Sequence, residues 1–152
     1  MPGPRYEALV NLLRTVDTIW NASRVFFTRW ELSPSQFNVL NVLSGKSDGL
    51  SQVELGRRLL MHRSNVTGLV DRLEARGMVK RQDNPNDRRA YNVVLTSSGE
   101  NVVRQILPHY YRAAEEVWGD IPKKRAEEMV TGLIAVCVNA ERIAAELAKQ
   151  TS

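Results

Sequence analysis

The sequence predicts a mainly α-helical fold with one small β-hairpin, and three observations carry that prediction. Apolar residues recur at threes and fours through six stretches that together cover most of the 152 residues. Only one segment, 78–95, reads as two strand-like runs around a turn. The third observation concerns charge: the net +4 is not spread evenly along the chain. Residues 57–89 hold nine basic and four acidic side chains, a local excess of +5, and the remainder sums to −1. Clustering of this kind is the electrostatic footprint of a surface that binds a polyanion.

Residues 6–30 predict a long amphipathic helix, with Leu9, Leu13, Val16, Trp20, Ser23 and Phe27 at helical spacing beside Leu12, Ile19, Phe26 and Trp30. Ser33 is then placed as an N-cap, with Pro34 at the first helical position and Gln36 positioned to complete a capping box. Phe37, Leu40 and Leu43 form the inward face, and the stretch from Gly45 to Gly49 ends that helix. Ser51-Gln52-Val53-Glu54 is a second capping box, opening a short helix with Leu55 and Leu59 inward. Gly56 on it leaves room for a crossing helix. After Met61 and His62, Val66, Leu69, Val70 and Leu73 make one stripe through 63–76, and Gly77 fits the residue just past the helix end. Two short helices around a tight turn read as a helix-turn-helix.

Met78–Asp83 and Ala90–Leu95 are the strand-like runs, and Asn84-Pro85-Asn86-Asp87 is the turn between them. A hairpin directly after a helix-turn-helix is the layout of a winged helix. Thr96 caps the next helix, which runs to about Trp118 and is expected to kink or break at Pro108. A last helix near 123–148 carries Met129, Val130, Leu133, Ile134, Val136, Cys137, Ala140, Ile143, Ala144 and Leu147. The expected organisation is an N-terminal dimerisation helix (1–33), a winged helix-turn-helix (34–98) and C-terminal dimerisation helices (99–152). Dimerisation is expected because the first and last helices carry more apolar width than a winged core of about 65 residues covers, the alternative being an intramolecular three-helix lobe.

On a helical wheel the 63–76 stripe leaves Ser64, Thr67, Gly68 and Asp71 facing outward, flanked by Asn65 and Arg72. Such a small polar face fits a major groove, where Arg63 pairs with guanine, Asn65 with adenine, and Ser64 and Thr67 with a base or phosphate. Gly68 adds no side chain to obstruct the approach. Asp71 is expected to pair with a neighbouring arginine. Arg88 and Arg89 beside the hairpin tip suit a narrow minor groove, with Asp87 placed to orient a guanidinium. The N–H groups opening the 51–60 helix, with Ser51 and Gln52, are candidates for a phosphate. The alternative is a winged-helix adaptor that binds protein and no DNA, which holds if the basic face is incidental.

The stretch Ser51-Gln-Val-Glu-Leu-Gly-Arg-Arg-Leu, then Val66-Thr-Gly-Leu-Val-Asp-Arg-Leu-Glu-Ala-Arg-Gly-Met-Val, then Asp83-Asn-Pro-Asn-Asp-Arg-Arg and Leu95-Thr-Ser-Ser-Gly99 resembles the MarR family of bacterial transcriptional regulators. The wing signature from Asp83 to Arg89 is the most specific part. Gly56 stands where the family more often has alanine. The resemblance implies an obligate homodimer whose terminal helices interlock and whose two lobes read an inverted-repeat operator of double-stranded DNA. It further implies a repressor that a small, often phenolic, molecule releases. By that resemblance Arg63, Ser64, Asn65 and Thr67 are recognition-helix positions and Arg89 is the wing-tip arginine.

Eight of the ten aromatic residues lie outside 34–98. An aromatic-rich helical lobe suits an apolar effector, so Trp20, Arg24, Phe27, Trp30, His109, Tyr111 and Arg112 are the candidate ligand-binding residues. Arg24, His109 and Arg112 would meet an anionic group. Peroxide-sensing members use a cysteine near the first helix, and the one cysteine here, Cys137, is on the last. One cysteine and two distant histidines offer no metal cluster, and no cofactor is expected. There is no P-loop, dinucleotide fingerprint or nucleophile elbow, so the chain is not expected to be an enzyme. No apolar run is long enough to span a membrane, and with one cysteine the expected compartment is the cytoplasm.

Overall fold

The computed structural model describes residues 1–59 and 65–150. The chain divides into two units, Met1–Leu107 and Pro108–Ser152. In the first, helix α1 (Pro4–Phe27) begins with Pro4 at its first position and Glu7 in its first turn, both favourable at a helix N-terminus. It stops three residues before the expected end, because Thr28–Trp30 tighten into a 3₁₀ turn and Glu31 takes a left-handed conformation at φ 53°. Helix α2 (Pro34–Leu43) opens on the expected capping box. Ser33 Oγ accepts the Gln36 N–H at 3.1 Å, and Gln36 Oε1 accepts the Ser33 N–H at 2.9 Å.

A two-residue strand β1 (Leu50–Ser51) leads straight into α3 (Gln52–Arg58). Helix α4 (Val66–Ala75) buries the four residues of its expected stripe, Val66, Leu69, Val70 and Leu73. Gly77, at φ +69°, ends it: the Met78 N–H reaches the Leu73 carbonyl at 3.0 Å and the Gly77 N–H the Glu74 carbonyl at 2.9 Å. Those two bonds satisfy carbonyls that a helix end otherwise leaves open. Strands β2 (Val79–Asn84) and β3 (Asp87–Leu95) form the hairpin, and β1 adds to the far side of β3, giving the antiparallel order β1-β3-β2.

The core of this unit is built from Phe27, Phe37, Val39, Leu40, Leu43, Leu55, Val70, Leu73, Val79, Val93, Val103 and Ile106. Phe27 stacks on Phe37 with ring centroids 4.6 Å apart, so the end of α1 is anchored against α2. Val103 and Ile106 come from helix α5 (Ser97–Trp118), whose start Thr96 caps by accepting the Gly99 N–H at 3.1 Å. The helix is unbroken at Pro108, so the expected break is absent; proline removes one donor, and the i→i−4 ladder continues on either side. Pro108 does mark the boundary between the two units.

The second unit holds the C-terminal part of α5 and α6 (Lys123–Gln150), the expected last helix extended by two residues. None of the 28 residues of α6 is buried. No helix among the described residues is long and apolar enough to cross a membrane.

Candidate nucleic-acid interface

Asn65 is the N-cap of α4 and is exposed, and Thr67 is exposed on the first turn. Arg63 and Ser64 lie outside the described residues. The half-buried Gly68 also makes room for a neighbouring side chain. A Cβ there would collide with the Asn65 side-chain oxygen, so its missing side chain is the seat of the Asn65 amide. Residues three apart at a helix start are neighbours, which is why the space is claimed from within.

Close approach of α3 and α4 is visible at Gly56, where a Cβ would stand 3.3 Å from Val66 Cγ2. Across the same junction Gln52 Nε2 donates to Thr67 Oγ1 at 2.8 Å. Ser51 forms the expected capping box. Its hydroxyl accepts the Glu54 N–H at 3.2 Å and donates to Glu54 Oε2 at 3.0 Å, and its own N–H reaches that oxygen at 2.9 Å. These bonds, the backbone one first, hold the Glu54 carboxyl below its ordinary value. The hydroxyl and N–H of Ser51 are thus both engaged by Glu54 at the helix start.

Asp71 pairs with an arginine as expected, and the partner is Arg81 from β2. Arg81 Nη2 meets Asp71 Oδ1 at 2.6 Å, its Nη1 meets Glu74 Oε2, and its backbone N–H donates to Glu74 Oε1 at 3.0 Å. Asp71 first, then Glu74, raises the guanidinium above its ordinary value. This triad ties α4 to the hairpin and neutralises Asp71. Setting it aside leaves eight basic against two acidic residues in the 57–89 window, a sharper excess of +6. Arg57, Arg58, Arg72, Lys80, Arg88 and Arg89 are all exposed. Arg76 is occupied otherwise: its guanidinium donates to the carbonyls of Glu31, at 2.7 Å, and Trp30, at 3.4 Å.

The hairpin is irregular at its tip. Asn84 pairs with Asp87, yet Asp83 pairs with Tyr91, so Arg88, Arg89 and Ala90 bulge out of register on β3. A bulge re-aims the side chains it carries. Among the described residues Asp87 pairs with no guanidinium; its Oδ1 accepts the Arg89 backbone N–H at 2.9 Å and thereby shapes the bulge. Two residues absent from the expected set stiffen the wing. Asn84 Oδ1 accepts the Asn86 N–H at 2.9 Å, Asn84 Nδ2 donates to Asn92 Oδ1 at 3.1 Å, and Asn92 Nδ2 donates to the Asp48 carbonyl at 3.0 Å. This amide relay runs from the tip to the loop before β1. Only the turn propensity of asparagine hinted at it.

Among the candidate ligand residues, Trp20 and Arg24 line an open cleft of about 570 Å³ with Thr28, Glu31, Leu32 and Pro34. Phe27 is not a lining residue; it is 2% exposed and held between Phe26 and Phe37, because the end of α1 is where the helix meets the core. Trp30 rests on Phe26 at 5.4 Å with Arg29 over its ring. His109, Tyr111 and Arg112 are exposed on the part of α5 that belongs to the second unit.

Comparison with known proteins bears on this arrangement. Residues 30–90 match the family model described as MarR family. The HTH-type transcriptional regulator PapX of Escherichia coli is 30% identical over 110 residues, 72% of this chain and 67% of PapX. The transcriptional repressor MprA of Escherichia coli K12 is 26% identical over 91 residues, 60% of this chain and 52% of MprA. The chain thus spans about half to two thirds of the length of these relatives. Among solved structures, Bordetella bronchiseptica BpsR, described for the regulation of its DNA binding by 6-hydroxynicotinic acid, superposes with a TM-score of 0.78 at 24% identity. That match covers 90% of this chain and 98% of BpsR.

Proposed function

Because this chain belongs to the MarR family of transcriptional regulators, which are not enzymes, we propose that it binds double-stranded DNA sequence-specifically as a homodimer and acts as a repressor that a small, phenolic or related aromatic effector releases. The observation that carries this reading is the pairing of two surfaces in one unit. The exposed Asn65 and Thr67 on the first turn of α4 belong to the same unit as the bulged Arg88 and Arg89 on β3. The recognition segment 63–76 enters the major groove, and the wing 83–90 reaches the adjacent minor groove, where the potential is most negative. Arg72 and the exposed arginines of α3 face the phosphates.

Dimerisation is supported by apolar surface left open. On α1, Leu9, Leu13, Val16 and Ile19 are exposed, and on α6 so are Val130, Leu133, Ile134 and Leu147. Stripes of that length are covered in a stable protein, and a twofold partner covers both and presents two wings to an inverted repeat. Repression is supported by the name of the MprA relative, and effector control by the description of BpsR together with the cleft at Trp20 and Arg24.

The test is a titration onto DNA from upstream of its own gene at several salt concentrations. Contacts to six or more phosphates give a slope of log K against log salt of about −5 or steeper. Salt-insensitive or absent binding would contradict the reading.

A further inference from the structure

We propose that Gln52 is a positioning residue for base readout: by filling one of the two acceptor sites on the Thr67 hydroxyl, it keeps the hydroxyl proton off the inner side and biases that hydroxyl to donate toward acceptors on the major-groove edge of a base. The inference rests on the DNA-reading role of α4 proposed above and names what one of its side chains reads. A threonine hydroxyl carries one proton and two lone pairs, and left alone its rotor turns to suit a donor or an acceptor. Here the Gln52 amide N–H points at Thr67 Oγ1 across 2.8 Å. The threonine proton is therefore directed away from Gln52, on the exposed side of the first turn of α4.

Both ends of this bond are fixed. Gln52 is half-buried at the first position of α3, whose start the Ser51–Glu54 capping box locks. Thr67 follows Val66, which packs on Gly56 of α3. In the major groove purine N7, guanine O6 and thymine O4 accept hydrogen bonds, whereas the amino groups of cytosine and adenine donate them. With the inner site filled, the proton stays among the outward positions of Thr67, which favours an acceptor edge over an amino edge, although one lone pair remains.

The full-length chain and its Gln52→Glu, Gln52→Met and Thr67→Val variants are each used to select duplexes from a pool randomised over about 20 base pairs, two helical turns. Thermal melting confirms that each variant is folded. The unmodified chain is expected to enrich acceptor-presenting bases at one column of each half-site by roughly fivefold. Thr67→Val flattens that column. Gln52→Met, which frees the rotor, also weakens it. Glutamate can only accept, so Gln52→Glu draws the Thr67 proton inward and moves the column toward an amino-presenting base. The added negative charge lowers affinity evenly across sequences, so a change confined to one column is not a charge effect. In the Thr67→Val background, Gln52→Glu is expected to change no column further. If Gln52→Glu selects the same column as the unmodified chain, the proposal is overturned while the DNA-reading role stands. If the unmodified chain enriches no sequence, that role falls and the proposal with it.

Discussion

Replacing Arg88 and Arg89 together by alanine is expected to weaken DNA binding by on the order of 100-fold, since an arginine reading a groove contributes about 1–3 kcal/mol. Neither side chain supports the fold, because both are exposed and both sit in the bulge opposite the Asp83–Asn84 step. Surface changes of this kind alter stability by about 0.5 kcal/mol or less, so the melting temperature is expected to move by no more than about 2 °C. Fluorescence anisotropy at fixed salt, paired with thermal melting, measures both effects. Affinity within about twofold of the parent would remove the wing from the binding surface; a large fall in melting temperature would show that the bulge is structural.

Gly49→Ala is expected to damage the fold severely, costing about 3 kcal/mol or more. Gly49 has φ +70°, which an L side chain adopts only with strain, and an added Cβ would run into the Val93 carbonyl and the Val94 side chain. Val93 is fully buried at the centre of the sheet, so the backbone there has nowhere to move. Gly45 supplies the control: its φ is +74°, yet a Cβ there meets open space. Gly45→Ala should therefore cost only the conformational share, about 1 kcal/mol. Calorimetry at matched protein concentration is expected to place Gly49→Ala roughly 8–12 °C below the parent and Gly45→Ala within about 4 °C of it. Equal losses at the two glycines would contradict the tight packing of this loop on β3.

These two cases show where sequence is informative. Ser33–Gln36, Ser51–Glu54 and the α4 stripe were legible because each depends on spacings of three or four residues, which the chain states directly. The pairing of Asp71 with an arginine was legible as charge chemistry, but the choice of Arg81 was set by the hairpin folding back onto α4. Strand β1 went unseen because two residues carry no period. The bulge holding Arg88 and Arg89 out of register depends on how Asn84 and Asp87 close the turn, which composition alone does not specify.

The site was legible in its residue types and less so in their roles. The Ser51 cap is legible from its spacing to Glu54, whereas the engagement of both its hydroxyl and its N–H by one carboxylate is visible only in the fold. Gly68 is legible as a position without a side chain, but not as the space that the Asn65 amide takes. Gln52 and Thr67 were each identified, but their bond joins residues fifteen apart and needs the α3–α4 crossing to exist. Phe27 lies on the same helix as Trp20, and only its stacking on Phe37 of α2 makes it a core ring while Trp20 lines the cleft.

The central claim is that two copies of this chain read two halves of one DNA site, each with α4 in the major groove and the wing in the minor groove. Methylation interference on a selected duplex tests it directly, because guanine N7 lies in the major groove and adenine N3 in the minor. The expected result is interference at two guanine N7 patches centred about one helical turn, or roughly 10 base pairs, apart. Adenine N3 interference should flank each patch. A single patch, or guanine interference with no minor-groove component beside it, would contradict the account.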